Sequence, residues 1–481
     1  MRRDQLPITA LHAYAKLNDI SFRGVGVQDL GTKGYGLAAE RSLDSKDAIE
    51  PLNLLRIPHA LILCAETVEE HAKFDHHFHD LLDAAGRKSF RGDALLFLLM
   101  QITIASSHQG QNVGLSNPWT EYCKLLPSVV PVPTMWMEEE RDLLFMGTSL
   151  EFALNAKMVA LSREFEALRE NTAEISWCQK CWWVPNGLEF MDYVLVDAWY
   201  RSRSLELPNS GESMIPCLDM VNHSNEAVAF YEEIDNNDVA LILHHGVKLD
   251  AGSEVTISYG TSKSKAEMLF SYGFIDGESN TKEMVLTLDT SPDDPLGKAK
   301  LAAFSRLPTL RICERDGIIA WDGPFLYLMC LNEEDGLDFG TLQETNGSCS
   351  KLRVFWQGSD VTDSTNAFES LISNHKHRDV FQLRVAVLLQ DRIQDQANRL
   401  WGSEEIAQSK AASVHDAPGR ADVLALRKTE AAILASAFAA VDTQKNKLLE
   451  SEAVLLYLQS VNRGSEERHD AGESNGEDDF S

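Results

Sequence analysis

The sequence is short of basic residues. Its 44 lysines and arginines face 73 aspartates and glutamates, a formal net charge of −29. Such a chain repels phosphate, which argues against direct, sequence-independent binding to DNA or RNA, and it attracts a basic protein partner. The tail "SEERHDAGESNGEDDFS" (465–481) has seven acids and one arginine, so most of the excess belongs to the body. No stretch approaches 18 uninterrupted apolar residues, so no membrane span is expected. The N-terminal "MRRDQLPITALHAYAK" has neither the apolar core nor the small-residue cleavage site of a secretory signal. The eight cysteines (64, 123, 178, 181, 217, 313, 330, 349) are scattered, mostly within apolar sequence. They read as free thiols in a reducing compartment, cytoplasmic and/or nuclear, and not as a disulfide framework.

Several catalytic signatures are missing too. "KGYG" (Lys33 to Gly36) has no third glycine at the dinucleotide spacing and no lysine-serine after it, so neither a Rossmann nor a P-loop site is supported. No Gly-x-Ser-x-Gly turn appears near Asp219, His223 and Ser224, which argues against a hydrolase. "CQKCWW" (from 178) is a single Cys-x-x-Cys with no partner pair nearby. In "FDHHFHD", Asp75 and His79 stand at i, i+4, but no third ligand follows at a telling spacing, so a solvated helix face is expected there and no metal.

What is present is organised. At 481 residues and 44% hydrophobic composition, the chain has the length and the apolar content for two or three cores. Residues 20–63 show short β-like runs broken by glycine ("FRGVGVQDL", "KGYGLAAERSL", "ALILCAE"). Helical periodicity then runs from 66 to about 171, with a Gly-Arg-Lys-Ser break and a helix start at "TMWMEEE", whose acids suit the first turn. From about 211 the pattern returns to strands ("AVAFYEEID", "DVALILHHGVKLDAG", "EVTISYG"). Residues 282–360 carry no clear period, and two long helical patterns follow at about 364–402 and 419–460. Two β portions more than a hundred residues apart are expected to complete one another around a helical insertion.

"IPCLDMVNHSNE" (215–226) concentrates the functional question. Ile215, Cys217, Leu218, Met220 and Val221 are core-type residues, yet Asn222 and His223 follow directly, and each is costly to bury without partners. "RSRSLEL", "DMVNHS", "EVTISYG" and "LFSYGFI" succeed one another with short spacers, and Tyr259 is followed thirteen residues later by Tyr272 in Tyr-Gly-Phe. With Gly-Tyr-Gly near the N-terminus, this order resembles the SET-domain protein methyltransferases, in the subclass of the rubisco large-subunit methyltransferase and the fungal ribosomal-protein lysine methyltransferases.

The resemblance implies an α+β fold: a SET domain over 20–280 with short sheets and a pseudoknot, split by a helical insertion at about 64–195. An all-α substrate-binding domain follows over 290–460, then a disordered acidic tail from 461 to 481. It implies S-adenosylmethionine as cofactor. Asn222, the backbone of His223, Arg203 and the backbone around Lys33, Gly34, Tyr35 and Gly36 would bind it. Tyr259 would stand at the methyl-transfer pore, with carbonyls from about Ser202 and Asp219 completing an oxygen ring. Tyr272 would pack around the substrate lysine channel or the sulfonium. The register of Ser202 and Arg203 is loosened by the polar loop "LPNSGES", and no cysteine-rich segment follows "SYGFI". The expected activity is methylation of a lysine ε-amine on a basic protein, with a ribosomal protein as first candidate and the chain acting as a monomer. Two alternatives remain at this stage: a catalytically inactive SET-like binding module, and a protein-histidine methyltransferase on the same fold.

Overall fold

The computed structural model describes residues 4–46, 50–106, 113–260, 262–277, 281–343, 349–413 and 419–460. The acidic tail at 461–481 lies outside the described residues. The chain divides into two compact units: Met1–Arg141 with Ala153–Asn280 and Ala417–Asp422, and Asp142–Phe152 with Thr281–Asp416 and Val423–Ser481.

The first unit is built by pairing across the sequence. One sheet runs in the order Ser21–Phe22, Asn53–Ile57, Val239–Leu243, Ala229–Glu233. Another runs Val25–Asp29, Tyr35–Ala39, Glu254–Ile257, Asn222–His223. The two β portions thus share both sheets. Val239–Leu243 is buried at every position, as expected of a strand covered on both faces.

Between them the described chain from Ala65 to Arg203 is helical. Phe90–Ala105 is apolar around most of its circumference, and eleven of its sixteen residues are buried. A helix apolar all round belongs inside a domain. It starts where the Gly-Arg-Lys-Ser break ends, with the Ser89 hydroxyl accepting from the Gly92 N–H at 3.2 Å. Its few polar side chains are paired: Thr103 accepts from the Trp182 indole at 2.7 Å, and Gln101 accepts from Thr120 at 2.6 Å. Each large apolar side chain so buried contributes about 1.5–3 kcal/mol. Glu138–Phe145 has three glutamates in its first turn, matching the dipole argument.

The second unit differs from the all-α expectation. The two long helices are there, as Arg378–Gly402 and Arg420–Leu449, but two three-stranded antiparallel sheets stand beside them. These are Lys282–Thr287 with Thr309–Arg315 and Ile318–Asp322, and Leu337–Gln343 with Cys349–Trp356 and Ser359–Asp360. The strands come from the segment without a clear period. Ile318–Asp322 alternates only between half-buried and exposed positions, so its apolar signal is diluted. A core of Leu310, Ile312, Phe325, Phe381, Leu389 and Ile433 joins sheet and helices.

Among the described side chains, Cys64, Cys123, Cys178, Cys181, Cys217, Cys313 and Cys330 are free, all but Cys313 buried. No helix of the described residues is long and apolar enough to cross a membrane. Asp75 is the N-cap of His76–Ala85, accepting from the N–H groups of His77 and Phe78, while His79 faces Asp83 at 3.4 Å. Asp75 and His79 are thus turned to different partners, while ligand atoms of Asp75, His76 and His77 lie within 4.8 Å of one another.

Candidate active site

The apolar run before Asn222 is buried as the sequence predicts: Ile215, Cys217, Leu218, Met220 and Val221 are each at most 8% exposed. Cys217 turns the chain with φ of 72°, a conformation unusual for a side chain with a β-carbon, and Leu218–Met220 makes one 3-10 turn. Asn222 and His223 then pair in parallel with Glu254–Ile257, Asn222 opposite Thr256 and His223 opposite Ile257. Glu254–Ile257 pairs on its other side, antiparallel, with Tyr35–Ala39. A parallel pair needs a long return connection. Here residues 224–253 supply it by looping out through Ala229–Glu233 and Val239–Leu243.

The partners of the buried polar groups are all supplied from a distance. Asn222 Nδ2 donates to Glu254 Oε1 at 2.9 Å, and the other oxygen of Glu254 holds the Lys33 ammonium at 2.7 Å. His223 Nδ1 accepts from the Tyr259 N–H at 3.0 Å, which leaves its Nε2 facing Asp276 at 3.7 Å. Burial lowers the His223 pKa, with Asp276 opposing. A neutral ring protonated on Nε2 satisfies both contacts. The Tyr259 hydroxyl donates to the Val221 carbonyl at 2.8 Å, and burial pushes its pKa well up.

Arg203, the last residue of Phe190–Arg203, donates from Nη1 to the Asp219 carbonyl at 3.0 Å and to its carboxylate at 3.1 Å. Its Nε is buried and has no partner among the described residues. The Tyr122 hydroxyl donates to the other Asp219 oxygen and itself accepts from the Cys217 N–H at 2.9 Å. Burial raises the Asp219 pKa despite Arg203 and Tyr122, and it raises that of Tyr122 as well. The Ser202 hydroxyl is committed to the Ala198 carbonyl of its own helix, at 2.7 Å.

A cavity of about 350 Å³ collects Ser202, Arg203, Asp219, Tyr259 and Tyr272 on one wall system. The rings of Tyr259 and Tyr272 lie 4.6 Å apart. Lys33, Gly34, Tyr35, Gly36, Asn222 and His223 do not line this cavity. They lie along the adjoining sheet, connected to it through Val221 and the backbone of Tyr259. Lys33 and Tyr35 are exposed, and Gly36 packs against Asn222. The Asp219 carbonyl, expected in an oxygen ring, is turned to Arg203. Two residues escaped the sequence reading. Glu254 opens a recognised strand, and its carboxylate could have been noticed there. Tyr122, 97 residues from Asp219, gave no signal.

No family model matches the sequence. "SET domain-containing protein 8" of Schizosaccharomyces pombe is 29% identical over 342 residues, covering 70% of this chain and 74% of that protein. The fold is similar to the crystal structure of the SET domain of LSMT bound to lysine and AdoHcy, at TM-score 0.66 over 92% of both chains with 17% identity. The sequence is thus similar to a SET-domain protein, and the fold is that of the rubisco LSMT structures. Among other relatives, the actin-histidine N-methyltransferase of Danio rerio is 22% identical over 68% of this chain and 53% of its own length. The large-subunit N-methyltransferase of Pisum sativum is 28% identical over 38% of each chain. A structure of Rubisco LSMT bound to AdoMet aligns at TM-score 0.64 over 92% of this chain.

Proposed function

We propose that this protein transfers a methyl group from S-adenosylmethionine to the ε-amine of a lysine on a basic protein. The observation that carries the reading is the convergence of Arg203, Asp219, Tyr259 and Tyr272 on one cavity, next to the parallel Asn222–His223 ladder.

The residues fit the cofactor. With Nδ2 held by Glu254, Asn222 keeps its carbonyl oxygen for an ammonium group. Arg203 has a buried, unpartnered N–H suited to a carboxylate. The bare Gly36 leaves room for Asn222 beside the strand backbone. When bound, S-adenosylmethionine supplies an electrophilic methyl on a cationic sulfur. The chain's own part is positioning. The Tyr259 hydroxyl, fixed by the Val221 carbonyl and kept protonated by burial, sets oxygen atoms at the cavity wall. The adjacent Tyr259 and Tyr272 rings, 4.6 Å apart, exclude water, which favours the neutral form of an entering amine. In-line alignment in such a cavity is where most of the rate arises.

The acidic surface fits a basic substrate, with a ribosomal protein the first to try, and the free thiols fit a cytoplasmic or nuclear setting. A monomer suffices, since every residue invoked comes from one unit of one chain. The test is calorimetric titration with S-adenosylmethionine beside Asn222→Ala, followed by labelled-methyl transfer into cell lysate with amino-acid analysis of the product. One-to-one binding weakened tenfold by the substitution, with label in methyl-lysine, supports the reading. Label in methyl-histidine favours the alternative that the Danio rerio relative raises. Absence of binding leaves only a SET-like binding module.

A further inference from the structure

Several side chains that line the cavity have no part in the proposed reaction, and one of them carries an amine. Lys263 is the only lysine among the described residues that line it. Its aliphatic chain folds back across Gly260, where a β-carbon would stand 3.1 Å from Cε. Its Nζ lies over the ring of Tyr272, 5.5 Å from the centroid, and Tyr272 in turn packs at a tilt against Tyr259. The positive charge is felt at His223. In a chain with 73 acids to 44 bases a lysine finds a carboxylate easily, yet none among the described residues pairs with Lys263. The Lys263 amine is thus a cation held by an aromatic face at the wall of the cavity that Tyr259 and Tyr272 share.

Resting on the methyltransferase reading, we propose that Lys263 is an internal methyl acceptor, so that the protein methylates itself at this position. The ammonium first gives its proton to water. The Nζ lone pair then forms the N–C bond as the S–C bond of S-adenosylmethionine breaks. The bonding pair leaves with sulfur, giving S-adenosylhomocysteine and a methylammonium. The modified side chain keeps its charge and adds apolar bulk against Tyr272 and Tyr259, so it narrows the cavity for an external substrate.

The test uses the full-length protein with deuteromethyl S-adenosylmethionine and no other protein. Digestion after glutamate releases residues 255–267, in which fragment masses separate Lys263 from Lys265. Label is expected on Lys263, with a rate constant unchanged on dilution, as an intramolecular reaction requires. It is expected to be absent from Lys263→Arg and from Asn222→Ala. A binding readout stands apart from turnover. With S-adenosylhomocysteine present, Nα-acetyl-lysine amide is expected to bind Lys263→Ala several-fold more tightly than the wild type, whose own side chain competes for the cavity. Cofactor binding with Lys263 unlabelled, label confined to Lys265, or equal amide affinity for the two proteins overturns the proposal and leaves the methyltransferase reading standing. Failure to bind the cofactor at all overturns both.

Discussion

Asn222 lies so close to Gly36 that a β-carbon on the glycine would stand 2.5 Å from the asparagine Nδ2. Leu30 Cδ1 would be equally near, so the position is closed on two sides. The glycine is required here by contact, not by backbone angle. Gly36→Ala therefore has to displace Asn222. Its expected outcome is cofactor affinity at least about tenfold weaker, or about 1.4 kcal/mol, with the circular dichroism spectrum unchanged. Calorimetry measures the first and spectroscopy the second. Wild-type affinity in the variant would mean that Asn222 does not contact the cofactor.

Glu254 orients Asn222 while also binding Lys33. Glu254→Gln keeps an oxygen that can accept from Nδ2, whereas Glu254→Ala leaves the asparagine amide free to rotate. Cofactor dissociation constants should order as wild type, then Gln, then Ala, with the alanine variant about tenfold weaker. A role limited to the Lys33 ion pair would be worth little, because Lys33 is 60% exposed, and Lys33→Ala should leave binding nearly unchanged.

Removing the Tyr259 hydroxyl strips the Val221 carbonyl of a donor in a buried place. Tyr259→Phe should lose about 1–3 kcal/mol of stability in urea denaturation. Methyl transfer should slow by about a hundredfold, with cofactor affinity within about twofold of wild type, as for the loss of a positioned polar group at a reacting centre. Because burial holds the phenol protonated far past its ordinary pKa, no alkaline fall in rate below about pH 10 should trace to Tyr259.

In the second unit, Glu430 is 1% exposed and accepts from the Ser149 N–H at 3.0 Å and from its hydroxyl. Burial pushes its carboxyl from 4.5 up to about 7, although Ser149 and nearby Arg427 pull the other way. At acid pH the folded and unfolded chains are both protonated at this group. As pH rises from about 4.5 to 7 the unfolded chain releases its proton first, so folding loses about 3 kcal/mol across that window. Glu430→Gln can keep both contacts with Ser149 and should lack this slope. The difference in denaturation midpoint between the two proteins, measured from pH 4.5 to 8, should grow in favour of the variant. A constant difference would mean that burial leaves the Glu430 carboxyl unshifted.

How much of this was readable in advance depends on the range of each interaction. The helix at Phe90–Ala105 announces itself by a dense apolar run after a serine cap, and Lys265–Tyr272 by a Ser264–Glu267 capping box and a terminal Gly273. The motif order at Arg203, Asn222, Tyr259 and Tyr272 was visible, and the structure brings three of these four to one cavity with Asn222 beside it. The strand at Ile318–Asp322 was not visible, because a half-exposed strand carries too little contrast between faces, and Thr309–Arg315 alternates only over Leu310, Arg311 and Ile312.

The sequence by itself determined the long helices, the short strands on either side of the helical insertion, and that a buried apolar run ends in Asn-His. Those properties depend on side chains within a few residues of one another. Only the tertiary structure decided that a strand of two residues, Asn222–His223, pairs in parallel with Glu254–Ile257, and that Glu254 and Tyr122 satisfy the polar groups brought together there. Two residues carry no periodicity of their own. Their partners are chosen by the burial and hydrogen bonding of the whole unit, where a polar group left unpaired costs more than any local preference returns.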